Sequence, residues 1–117
     1  MEKLFSEVLD IEDVKGAMLF SLKGELVYNA FTGPPPSGIE DKEFRTRVSG
    51  VCREINECDV IFETCRLYIR RTVLGCLLIW MERYVSIALV RLQCDMLVAA
   101  LEEKKQSKGK WRIFRKK

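Results

Sequence analysis

The sequence holds five cysteines, Cys52, Cys58, Cys65, Cys76 and Cys94, and no histidine. No two of the thiols form a C-x-x-C pair, so the ligand sets that hold zinc have no starting point here. Reduced thiols packed as small hydrophobes are the expected state. Without an imidazole, a general base would have to be a carboxylate, a lysine or a cysteine with a shifted pKa. Glu63 is the only acid within the strands predicted between Val60 and Met81, and an outward or rim-facing carboxylate accounts for it. Ser21, Ser37, Ser49 and Ser86 stand in no nucleophile motif. Neither G-x-x-x-x-G-K-[ST] nor G-x-G-x-x-G occurs, so no phosphate cradle is expected. Arg70 and Arg71 could be mistaken for an arginine finger, but neighbours on a strand point to opposite faces, which reads as a solvated pair. The expectation is a protein with no catalytic residue, no cofactor and no metal.

Charge is the second source of chemistry. Residues 104–117 carry eight Lys/Arg and no acid, which leaves 12 basic and 17 acidic residues, a net −5, in the rest of the chain. Within "KGKWRIFRKK", cations interleave with Trp111, Ile113 and Phe114. Lys110, Trp111, Arg112, Phe114 and Arg115 are therefore the contact candidates of the tail, suited by composition to an anionic membrane surface or an acidic protein. Nucleic acid fits less well, because the negative body opposes the approach of phosphates. A flexible solubilising extension is the plain alternative.

The elements that must position these groups follow from periodicity. A chain of 117 residues makes one domain with one core, and 48% hydrophobic with 32% charged residues is the composition of a globular protein. The longest uncharged apolar run, Val73 to Met81, is too short to span a bilayer. The N-terminus lacks a basic n-region, so no signal peptide is expected and the cytoplasm is the default location. Leu4, Phe5, Val8 and Leu9 share one helical face. Val14 to Ser21 and Glu25 to Phe31 read as a hairpin, with Gly24 supplying the positive φ of its loop. After "TGPPPSG", Ser37 to Glu40 fits a capping box opening a second helix that runs to about Asn56, with Phe44, Val48, Val51 and Ile55 as its buried stripe. Strands are predicted at Val60 to Thr64, Leu67 to Val73 and Cys76 to Met81, with a turn at Leu74-Gly75. Leu67 and Ile69 alternate with Tyr68 and Arg70, which predicts one buried face for that strand. "CLLIWM" is apolar throughout, as a strand covered on both faces should be. Ile87 to Glu103 is helical, with Ile87, Val90, Cys94, Leu97 and Leu101 on one face. The class is α+β: a five-stranded antiparallel sheet with packed helices, in the order α-β-β-α-β-β-β-α.

That order resembles the Roadblock/dynein light chain family, particularly its bacterial and archaeal members. "DVKGAMLFSLKGELV" is similar to the family's first hairpin, with Gly16 and Gly24 at its recurring glycines. "RLYIRRTVLGCLLIWM" resembles its last hairpin, and "ERYVSIALVRLQCDMLVAALEE" the start of its final helix, "LVRL" (Leu89 to Leu92) being the nearest match. The resemblance spans about residues 2–103, which makes 1–103 the Roadblock-like domain and 104–117 a separate basic tail. It implies a Roadblock/longin-like (profilin-like) sandwich, with helices one and three together on one sheet face. It also implies a homodimer in which the strand after helix two pairs with its twin while the second helices pack nearby. The interface would then draw on Phe44, Val48 and Val51 with Val60, Ile61, Phe62, Glu63 and Thr64. An otherwise exposed "VIFET" edge agrees with this, because such an edge invites aggregation unless paired.

The function implied by the resemblance is regulation of a small Ras-like GTPase, as an activating or exchange-type factor that donates no catalytic residue. A scaffold subunit of a motor, motility or secretion assembly is the alternative, and a tail-mediated membrane contact a further one.

Overall fold

The structure, a computed structural model, describes the backbone of residues 2–35 and 38–115 and the side chains of residues 3–35 and 38–105. The chain runs α1 (Glu2–Leu9), β1 (Val14–Phe20), β2 (Leu26–Phe31), α2 (Lys42–Glu54), β3 (Glu57–Ile61), β4 (Arg66–Thr72), β5 (Gly75–Met81) and α3 (Ile87–Arg115). The strands form one sheet in the order β2-β1-β5-β4-β3, with every neighbouring pair antiparallel. This is the expected α+β architecture.

Helices cover both faces, so the central strands are buried on both sides. Alternation along β1 and β5 divides their side chains between two cores. Ala17, Leu19, Leu77, Ile79 and Met81 join Phe5 and Val8 of α1 and Val90, Cys94, Leu97 and Leu101 of α3. Met18, Phe20, Leu78 and Trp80 pack with Val48 and Cys52 of α2 on the opposite face. Full burial of each large apolar side chain contributes about 1.5–3 kcal/mol, which makes these two layers the principal source of stability. The predicted grouping of α1 with α3 is observed.

Two glycines have physical causes. A Cβ on Gly16 would lie 2.2–2.6 Å from ring atoms of Trp80, so the indole packs where any side chain would stand. Gly24 turns the first hairpin with φ +86°, and its N–H donates to Ser21 O at 2.9 Å.

Several boundaries differ from the sequence reading. Helix α2 starts at Lys42, with Asp41 in the N-cap conformation and residues 38–40 in a turn, so Glu40 does not open the helix. The predicted cap, Ser37, lies outside the described residues. The α2 stripe also divides: Val48 is buried and Phe44 half-buried, whereas Val51 and Ile55 are exposed, and Cys52 takes the inward place. Strand β3 begins at Glu57 and ends at Ile61, leaving Phe62, Glu63 and Thr64 in the turn to β4, where the Phe62 N–H donates to Cys65 O. The last turn is Val73-Leu74, with Thr72 paired to Gly75. Tyr68 is fully buried, as are Leu67 and Ile69, so β4 has two buried faces and not one. Cys52 of α2 and Cys76 of β5 are joined as a disulfide with Cα atoms 6.4 Å apart, which corrects the expectation of five reduced thiols; Cys58, Cys65 and Cys94 are free. Helix α3, predicted to end at Glu103, runs to Arg115.

Candidate interaction surface at the sheet edge

β3 is the terminal strand of the sheet and pairs only with β4. Its outer edge therefore offers unpaired backbone groups to another strand. Cys58 and Val60 pack toward the α2-side core, and Ile61 is 54% exposed at the strand's end beside Phe62, at 46%. Glu63 and Thr64 follow in the exposed turn.

The orientation of α2 places further apolar surface on the same side. One flank of the helix is tied to the β1–β2 loop: Arg45 Nε donates to Gly24 O at 2.9 Å, Ser49 Oγ to Ser21 O at 3.1 Å, and Arg53 Nη2 to Leu22 O at 3.0 Å. At 3.6 residues per turn, Val51 and Ile55 fall on the flank turned away from that loop. Because β1–β2 and β3 occupy opposite ends of the sheet, this flank faces the β3 side. Of the eight residues expected at an interface, Val51, Ile61, Phe62, Glu63 and Thr64 are accessible, Phe44 and Val60 are half-buried, and Val48 belongs to the core.

A polar network holds β3 in place from the opposite face. Arg66 donates from Nε and Nη2 to the two carboxylate oxygens of Asp59, at 2.8 and 2.6 Å. Tyr68 Oη donates to Glu57 Oε2 at 2.5 Å, and Arg91 of α3 reaches Glu57 Oε1 at 2.7 Å. Arg70 bonds Tyr68 Oη at 3.4 Å and forms an ion pair with Asp95 of α3. The hydrogen bond from Tyr68, aided by Arg91, holds the Glu57 carboxyl below its ordinary range; Arg66 does the same for Asp59. Burial, reinforced by the Glu57 carboxylate, pushes the Tyr68 phenol up to about 12. Burial also drives the Cys94 thiol up to about 12, which makes it a poor nucleophile.

Arg70 and Arg71 do project to opposite faces, but neither is merely solvated. Arg71 Nη1 and Nη2 donate to Arg53 O and Asn56 Oδ1 at the end of α2, at 3.3 and 2.5 Å. Ser49 is buried and spends its hydroxyl on Ser21 O. Among the described residues, no group of three or more Cys, Asp or Glu is placed to hold a metal ion. The tail candidates Lys110, Trp111, Arg112, Phe114 and Arg115 lie on the C-terminal part of α3, and their side chains fall outside those described. Sequence reasoning missed the Glu57–Tyr68–Arg91 linkage and the exposed row on α3 formed by Leu89, Leu92 and Met96. A signal for the second was present in their i, i+3, i+7 spacing.

No protein-family model matches the chain, and no curated protein matches it. Solved structures do. A Roadblock/LC7 domain from Streptomyces avermitilis superposes with a TM-score of 0.71 at 16% identity, covering 91% of this chain and 98% of that one. MglB of Myxococcus xanthus gives 0.70 at 16% identity, covering 90% of each chain. A structure described as MglB with tetrameric arrangement gives 0.71 at 16% identity, covering 86% of this chain and 83% of that chain. At such identities the likeness is one of fold, and it extends over nearly the whole chain: the protein has the Roadblock/LC7 fold.

Proposed function

We propose that this protein is a homodimeric regulator of a small Ras-like GTPase. The observation that carries the proposal is the coincidence of an open strand edge with exposed apolar side chains on the same side of the molecule. Pairing β3 with β3 of a second copy satisfies the free backbone groups and covers Ile61 and Phe62. The two-fold operation brings the second α2 alongside the first, with Val51 and Ile55 of each copy near the join. The paired helices would then offer one broad surface to the GTPase. Tetrameric MglB, of the same fold, supports self-association, and the family resemblance in the hairpins and last helix supports the partner class.

Such a regulator acts by positioning the GTPase's own residues and contributes no catalytic group itself. The side chains accord with that role, because the polar groups near the sheet edge are engaged in holding the fold. Among the described residues, no helix is long and apolar enough to cross a membrane. The test is a pull-down from native lysate, scored for a small GTPase by mass spectrometry, followed by nucleotide turnover of that GTPase with and without this protein. Capture with altered hydrolysis or nucleotide release supports the proposal. Absence of any GTPase, with a scaffold or motility component in its place, would sink it.

A further inference from the structure

The sheet face opposite α2 carries a second uncovered surface. Leu89, Leu92 and Met96 of α3 are 43%, 55% and 61% exposed. Acids lie at the Leu89 end of this row. The first thirteen residues contain Glu2, Glu7, Asp10, Glu12 and Asp13 against one base, Lys3. Asp10, Glu12 and Asp13 line an open depression of about 440 Å³ that Leu89 and Tyr84 complete. Tyr84 is 74% exposed, with its hydroxyl donating to Asp13 Oδ2 at 2.8 Å. An apolar row ending in acids is a receptor for a segment with the reverse character, aromatic residues followed by cations.

The chain contains such a segment. Phe114 stands eighteen residues beyond Met96, and Trp111 three residues before it. The backbone of α3 runs without interruption from Met96 to this segment. Arg115, Lys116 and Lys117 then supply the cations. Because α3 is one helix from Ile87 to Arg115, the segment is carried about 33 Å from Leu89 and cannot turn back onto its own row. It can reach the row of a second molecule.

We propose that the α1–α3 face binds the C-terminal segment of α3 from a second copy of this chain, with the two α3 helices antiparallel. In that register Leu89 stands opposite Phe114 and Leu92 opposite Trp111, while the terminal cations meet Asp10, Glu12 and Asp13. The contact is isologous, so each copy gives one segment and accepts one. It is distinct from β3 pairing, and the two contacts together would join dimers into a larger assembly.

The test uses the full chain with the photoreactive residue p-benzoylphenylalanine in place of Phe114, mixed from isotopically heavy and light preparations. Cross-links between heavy and light chains, mapping to Asp10–Asp13 or Leu89–Met96, are the expected result. They should persist in the Ile61→Lys background, which disturbs the sheet edge and not this face. Leu92→Lys, or Asp10→Lys with Glu12→Lys, should lower the cross-link yield about tenfold in dilute protein, with the charge variant losing its effect in high salt. These positions are exposed, and circular dichroism checks that the variants fold. Cross-links confined to the label's own chain overturn the proposal. So does an unchanged yield in both variants, or transfer of the label to phosphatidylserine vesicles in preference to the second chain.

Discussion

Arg66 grips Asp59 with two parallel hydrogen bonds, at 2.8 and 2.6 Å, across the β3–β4 pair. The same guanidinium donates to Val85 O at 3.2 Å, so one side chain ties the edge strand to the loop leading into α3. With only 15% of its side chain exposed, Arg66 is shielded enough for this pairing to matter. Arg66→Ala should lower stability by roughly 1–3 kcal/mol, because it removes both hydrogen bonds to the Asp59 carboxylate. Urea denaturation measures it. A double-mutant cycle with Asp59→Ala should show strong coupling, and additive losses would show that the two residues act separately.

The same edge should be sensitive to acid. Glu57 and Asp59 both have carboxyl pKa values below their ordinary range, through Tyr68 with Arg91 and through Arg66 respectively. Carboxylates held lower in the folded state add stability above their unfolded values, near pH 4, and that stability is lost as pH falls through the folded values. Melting temperature should therefore be flat from about pH 7 to pH 5 and then drop. Glu57→Gln with Asp59→Asn should start lower and show a shallower drop. An equally steep drop in that variant would assign the acid sensitivity to other groups.

What was legible in the sequence follows from which interactions are local. The all-apolar "CLLIWM", the Lys23-Gly24 turn and the 3.6 period after Ile87 identified β5, the first hairpin and α3. The α1–α3 pairing came only with the family resemblance. Strand β3 was misplaced because Glu57 and Asp59 have poor strand propensity, and only partners on β4 and α3 make the placement favourable. Tyr68 misled for a related reason: its alternation with Leu67 looked like an outward position, yet α3 covers that face and Glu57 takes its hydroxyl. On α2, Val48 is buried as its place in the stripe predicts, whereas Val51, expected on the same stripe, is exposed. The difference lies in how α2 rolls on the sheet, which the hydrogen bonds to Ser21, Leu22 and Gly24 decide.

Gly16 gives a prediction in the core. Its missing side chain is replaced by the Trp80 ring, itself stacked at a tilt on Phe31 with centroids 4.6 Å apart. Gly16→Ala should displace the indole and destabilise the protein by roughly 1–3 kcal/mol, with a change in tryptophan fluorescence. An unchanged emission spectrum and unchanged melting would mean that the ring has room to move.

The sheet edge gives the last prediction, and burial decides how it is tested. Val51, Ile55 and Ile61 are 42%, 40% and 54% exposed in the single chain, so a lysine at any of them costs the isolated fold little. In a β3-paired dimer the same positions lie at or near the join, where a charge must be desolvated or must force the surfaces apart. Val51→Lys with Ile61→Lys should therefore halve the mass measured by light scattering at tens of micromolar, with a change in melting temperature no larger than loss of the dimer itself explains. Lys42→Ala is the control: it removes the ion pair with Glu25 on the far flank of α2 and should leave the mass unchanged. If the unmodified protein is already monomeric at that concentration, edge pairing is wrong, and the exposed α2 flank must serve some other partner directly.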